Sequence, residues 1–258
     1  MAEQQNDGGP APILPVKTGE LLREVMSYGK ENWRPVLKLA KIPILISFAL
    51  ELVLQALPLD TSLTGAFASL VPYAVFVIAL HRRYLLELET SLAFKHREIR
   101  LLAYMTVFYL LLFLGLFILL VALKSSPFSQ TVSIFVLVII LIPAIYIVFR
   151  LVLVFPMIAI DYPGKILGYI KFSWAAMRYS VAGVFCAEVV IYLAISSVFI
   201  GLKFIVPSAL TSDSTITPAY VLSAAVGACS SFLIITCTVI VASYTFRKLV
   251  LSLPTPED

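Results

Sequence analysis

Four residues with chemically capable side chains interrupt otherwise apolar runs: Glu51 and Gln55, one helical turn apart, then Arg150 and Glu188. In hydrocarbon such groups are costly, so each marks either a structural bond or a route for an ion or proton. Arg150 and Glu188 fall toward the same end of their stretches, which allows an ion pair that fixes helix register, or a transported-ion site. Glu51 has no basic residue at its depth. A protonated Glu51 bonded to a Ser or Thr of a neighbouring helix satisfies it without turnover, and an ionising Glu51 serves coupled transport.

Signatures of enzymatic chemistry are missing. His81 and His96 are the only histidines, both in a charged connection, and neither has a Cys or second His at metal-ligand spacing. They read as solvated or headgroup-facing. The chain has no G-x-S-x-G elbow, P-loop or H-E-x-x-H. Glu87 and Glu89 read as partners of nearby Arg residues, with Glu98 paired at helical spacing on the same solvated connection. Cys186, Cys229 and Cys237 fall in apolar stretches without C-x-x-C spacing and read as packing residues. The expectation is no catalytic residue, no metal and no cofactor.

The elements that position these groups are six apolar stretches: Lys41–Leu57, Ser62–Leu80, Leu101–Leu123, Val132–Phe149, Val181–Leu202 and Ala219–Phe246. A hydrocarbon core of ~30 Å takes ~20 residues of helix to cross. With 60% apolar and 13% charged residues, the chain departs from globular averages. The fold class expected is therefore an all-α integral membrane bundle of six transmembrane helices. Of the 19 basic residues, only Lys124 and Lys203 fall outside the N-terminal segment, the second and fourth connections and the C-terminal end. Positive charge collects on the cytoplasmic side, so both termini are expected there. The same distribution assigns the net charge of +4 to anionic lipid headgroups and not to nucleic acid.

Residues 1–15 are polar, lack the apolar core of a signal peptide and read as a disordered tail; residues 251–258 form a second tail. Between them, residues 16–250 make one membrane domain. Thr18 caps a helix over about 18–33, with Leu21, Leu22, Val25 and Met26 on one face and Trp33 near it. It lies in the headgroup layer or packs beneath the bundle. A second amphipathic interfacial helix is expected over 165–179, with Ile166, Leu167, Ile170 and Trp174 as its apolar stripe and Lys171 and Arg178 elsewhere. The fourth stretch is too long for a straight crossing. It is expected to end near Arg150, with residues 151–160 as a bent or interfacial extension around Pro156. Pro58–Thr61 forms a tight connection, and Lys124–Thr131 and Lys203–Pro218, with Asp213, form external loops. The last stretch is rich in Ser, Thr, Ala and Gly, which suits close helix packing or the lining of a polar path.

Two blocks carry a resemblance. His81, Arg82 and Arg83 open a run through Glu87, and Arg97-Glu98-Ile99-Arg100 precedes the third stretch. Arg150 and Pro156 are followed by Ser173, Trp174 and Arg178 as R-x-x-x-x-x-P…S-W-x-x-x-R. The chain thereby resembles uncharacterised six-helix inner-membrane proteins of proteobacteria, related to the membrane domain attached to glycerophosphodiester phosphodiesterases. The resemblance implies a bacterial inner-membrane location and the six-helix architecture. It implies no reaction, because the phosphodiesterase domain is not in this chain.

Two functions are open. One is a non-enzymatic multi-pass protein that acts through membrane lipids or a membrane-protein partner, as an accessory or scaffold component of an envelope assembly. The other is a small transporter or channel using Glu51, Arg150 and Glu188.

Overall fold

The computed structural model describes residues 15–56, 61–88, 92, 95–124, 139, 142–205 and 218–251. The tails, the tight connection at 58–60, Glu89 and both external loops, Pro127 and Asp213 included, lie outside these residues. The described elements are all helical: α1 Thr18–Ala56, α2 Thr61–Leu86, α3 His96–Lys124, α4 over 142–150, α5 Val154–Ala159, α6 Ile166–Ala176, α7 Val181–Ile205 and α8 Pro218–Phe246. A 3₁₀ turn, Met177–Tyr179, precedes α7, and a π-helical turn, Arg247–Leu251, follows α8. Three described segments are long and apolar enough to cross a membrane: Ile142–Ala159, Val181–Gly201 and Val221–Leu251.

The helix expected over 18–33 is not a separate element. It runs without interruption into the first apolar stretch, through Pro35 and Pro43, to make the 39-residue α1. At ~1.5 Å per residue that is ~58 Å, nearly twice the thickness of a hydrocarbon core. Leu21 is fully buried, and Leu22, Val25 and Tyr28 pack against the core, whereas Met26 is exposed. The N-terminal half therefore packs on the bundle. Burying Leu21 is worth ~1.5–3 kcal/mol, against ~0–1 kcal/mol for a partly exposed pair such as Glu20–Lys248. Apolar packing seats this half of α1, and the ion pairs set its orientation.

α1 packs on α2, α7 and α8, and α8 also packs on α2, α5 and α7. Phe76 of α2 and Phe232 of α8 are both fully buried, with ring centroids 5.3 Å apart. The fourth apolar stretch does break after Arg150: residues 151–153 form a turn and the chain restarts as α5. Pro156 lies in the first turn of α5, where no intrahelical donor is required. Of the two expected forms the bent one is seen, and Val154, Pro156, Met157, Ile158 and Ala159 are buried within the protein. An almost wholly apolar hexapeptide is driven under α2, α3 and α8 rather than along the surface.

α5 ends in a Schellman motif: the Tyr162 amide donates to the Met157 carbonyl at 2.9 Å and the Asp161 amide to the Ile158 carbonyl at 3.3 Å. This places Asp161 in the left-handed region, φ 53°, which Asp tolerates better than most residues. At the other end of α6, the chain leading into α1 lies against the start of α7. The Val16 amide donates to Ser180 Oγ at 3.1 Å, and Thr18 Oγ1 donates to the Gly183 carbonyl at 3.2 Å. A Cβ on Gly183 would stand 2.2 Å from the Val16 carbonyl oxygen. Gly183→Ala is therefore expected to force these backbones apart and lower stability by ~1–3 kcal/mol, measured by thermal unfolding in detergent. Gly201→Ala, where a Cβ meets nothing within 4 Å, is expected to leave the midpoint within about one degree of the parent or above it.

Candidate functional site

The polar groups gather at the end of the bundle where α1 begins, α2 ends and α8 finishes. Glu98, three residues into α3, accepts from the Lys95 amide at 2.8 Å, the reach-back half of a capping box. It also lies 3.6 Å from Arg97. Glu98 is thus a buried cap and not a member of a solvated face, while Glu87 is exposed with a left-handed backbone. Asp161, held outward by the Schellman turn, pairs with Arg97 at 3.0 Å and with Arg100. Arg82 donates to the Ala159 carbonyl at the end of α5, at 3.4 Å. Across the bundle, Arg247 lies 3.6 Å from Glu24 and stacks on Tyr84, while Lys248 pairs with Glu20. The Lys248 ammonium holds the Glu20 carboxyl below its usual value. Burial, reinforced by donation to Glu24, raises the Tyr84 hydroxyl well above the ordinary tyrosine range.

His81 overturns the expectation of a solvated residue. It is 1% exposed, and its Nδ1 lies 2.7 Å from Ser243 Oγ, itself fully buried. One residue past the apolar stretch of α2, it points into the α2–α8 seam, because the helix carries its buried face on through Leu80. A serine bonded to a histidine is the geometry of an activated nucleophile. Two observations count against that chemistry. Both groups are sealed in the core, and burial pushes His81 down to about 3, too weak a base near neutrality. The pair is a buried polar link between two helices.

Arg150 and Glu188 are held by different partners. Arg150, 8% exposed, donates from Nε to the Tyr146 hydroxyl at 2.8 Å and from Nη1 to the Trp174 carbonyl. Its guanidinium lies 5.1 Å from the Tyr146 ring centroid and 5.0 Å from that of Trp174. Glu188 instead accepts from Thr238 Oγ1 of α8 at 2.8 Å, and its second oxygen has no partner among the described residues. The Arg150–Glu188 ion pair that the sequence allows does not form among the described residues: aromatic faces and a carbonyl hold the guanidinium, and a threonine meets the carboxylate. Glu51 is exposed on α1 and engages a neighbour. Gln55 lies in the last turn of the same helix.

Three of the seven Ser and Thr hydroxyls of α8 are consumed locally. Ser230, Thr236 and Thr245 bond back to carbonyls of their own helix, while Thr238 and Ser243 reach across. Cys186 and Cys229 are exposed and Cys237 is half-buried, so only the last fits the packing role expected of all three.

Ser173, singled out by the sequence pattern, closes the α4–α5 break. Its hydroxyl donates to the Arg150 carbonyl at 2.7 Å and accepts from the Leu153 amide at 3.3 Å. The outward face of α6 corrects a second expectation. Leu167, Lys171, Trp174 and Arg178 are all exposed at helical spacing, with Tyr169, Ser173, Ala176 and Met177 turned inward. The basic residues therefore share the apolar stripe. An apolar stripe alone does not show which face of a helix packs inward. The inward Ser173 was the available signal.

No protein-family model matches the chain, and no curated protein or solved structure matches it either.

Two outcomes follow from the geometry. The folded value of His81 lies below the ordinary 6.5, so between the two the unfolded chain holds the extra proton. The stability contribution is complete above pH 6.5 and is lost as the pH falls toward 3, at up to ~1.4 kcal/mol per pH unit. Thermal midpoints from pH 7 to 4 are expected to fall more steeply for the parent than for His81→Gln. Separately, Arg150→Gln and Glu188→Gln are expected to destabilise additively, within ~0.5 kcal/mol. A double variant that recovers the single losses would show them to be partners.

Proposed function

We propose that this chain is a non-enzymatic, multi-pass protein of a bacterial inner membrane, with six spans and both termini in the cytoplasm. It works through contacts with lipid or with a membrane-protein partner, as an accessory or scaffold component of an envelope assembly. One observation supports this most directly. At the basic end, Glu20, Glu24, Glu98 and Asp161 are consumed by internal ion pairs. Lys30, Arg34, Lys38 and Lys41 on α1, and Lys165, Lys171 and Arg178 around α6, stay exposed without an ion pair among the described residues. Exposed Trp33, Leu37, Ile42, Leu167 and Trp174 lie between them. Cations interleaved with aromatic and aliphatic side chains suit the headgroup layer, where rings sit at the interface and each cation near an anionic leaflet gains ~1 kcal/mol.

The likeness to six-helix inner-membrane proteins fits this function. Within the motif, Arg150, Ser173 and Trp174 build the α4–α6 clasp, and His81 and Arg82 bond to α8 and α5. A motif spent on bonds that assemble the bundle asks for no shared reaction. A transporter or channel would need Glu51, Arg150 and Glu188 on one path, and Arg150 and Glu188 take separate partners.

Gentle purification from native membrane, with native mass spectrometry of what remains bound, tests the proposal. Anionic phospholipids are expected to be enriched several-fold over their share of the membrane, with retention falling as ionic strength rises. Bound lipid in the proportions of the bulk membrane, with no co-purifying protein, would refute it.

A further inference from the structure

We infer that the outward face of α6 is a binding site for the headgroup of an anionic phospholipid, built by Arg150, Lys171 and Arg178 around Trp174. This rests on the lipid-contact function proposed above and names the lipid class and the place.

The first ground is position. α6 joins two of the segments able to span a membrane, one ending at Ala159 and the next starting at Val181. A connector between the ends of two spans lies at headgroup level. Its exposed stripe of Leu167, Lys171, Trp174 and Arg178 alternates apolar and cationic side chains. Lys171 stands three residues before Trp174 and is its neighbour on the helix surface, and Arg178 follows exposed in the 3₁₀ turn, its guanidinium 5.4 Å from the Tyr179 ring centroid.

The second ground is Arg150. A guanidinium that is 8% exposed normally carries a carboxylate partner, because a buried unpaired charge is costly. Here its bonds go to a phenol, a carbonyl and two aromatic faces. Nη2 has no partner among the described residues, and none of the three cations has a carboxylate within ion-pair distance there. Arg150 lies on the half-exposed indole, Lys171 and Arg178 stand exposed on either side of it in the chain, and a lipid phosphate is the complementary charge.

The third ground is rigidity. Ser173 ties α6 to the Arg150 carbonyl and the Leu153 amide, and the Tyr169 hydroxyl donates to the Tyr162 carbonyl. Cations held on a fixed helix lose little conformational freedom on binding, which favours retention of one headgroup over diffuse attraction.

The chain has two tryptophans, so Trp33→Phe leaves Trp174 as the sole indole reporter. The full-length variant is reconstituted in vesicles of phosphatidylcholine in which either dibrominated phosphatidylglycerol or dibrominated phosphatidylcholine supplies the quencher. Phosphatidylglycerol is expected to associate at Trp174 about fivefold more strongly than phosphatidylcholine. Lys171→Gln/Arg178→Gln, both at exposed positions, is expected to bring the ratio close to one while the thermal midpoint holds. Equal quenching by the two lipids in the parent would overturn the site while leaving the broader lipid-contact function standing. Absence of quenching by either would overturn it by showing α6 turned away from lipid. A preference that survives the double substitution would also overturn it.

Discussion

A helix cannot stop in a protein interior without partners for its last carbonyls and the next amides, since each such buried group left bare costs ~1–3 kcal/mol. The chain breaks after Arg150 and restarts at Val154, and that constraint organises the basic end of the molecule. Ser173 accepts one freed amide and donates to one freed carbonyl, which fixes α6 against the break. With α6 fixed, Trp174 falls beside Arg150, and the guanidinium bonds to the Trp174 carbonyl and stacks on its ring. One hydroxyl thus determines where a whole helix lies and where a buried charge points.

The break also permits α5, a short apolar segment driven into the core beneath α2, α3 and α8. Its end is finished by backbone bonds that turn Asp161 outward into Arg97 and Arg100, while Arg82 covers the Ala159 carbonyl. With Glu20, Glu24 and Glu98 paired elsewhere at this end, four carboxylates are committed to internal pairs. Much of the positive charge is left to face outward, on α1 and α6. The electrostatic character of the surface follows from which acids the fold consumes, rather than from the modest net charge of the chain.

α8 shows the same economy. Its hydroxyls would line a polar path if they pointed to a common space, but three bond to their own helix, one meets Glu188 and one meets His81. Ser and Thr in an apolar helix satisfy themselves locally wherever a carbonyl one turn back is available. The two that reach across tie α8 to α7 and α2.

Much of the architecture was legible in the residues. Apolar runs marked where helices form among the described residues, though α1 begins far ahead of its run; the break after Arg150 followed from a stretch too long for one crossing, and the segment over 165–179 folds as α6 and its 3₁₀ turn. These features depend on local pattern, which a linear chain carries in full. Pairings did not follow from it. Arg150 and Glu188 are opposite in charge and alike in apparent depth, yet aromatic faces and a threonine claim them, because pairing depends on rotation about each helix axis. The same rotation put His81 in a seam instead of in solvent, and set Lys171 and Arg178 on the exposed stripe of α6. Composition and spacing determined that this chain must be helical and where its apolar segments begin and end. Which face each helix turns inward, and so which charges are spent and which are offered, was decided only when the helices packed, because burial is a property of neighbours that the sequence does not place side by side.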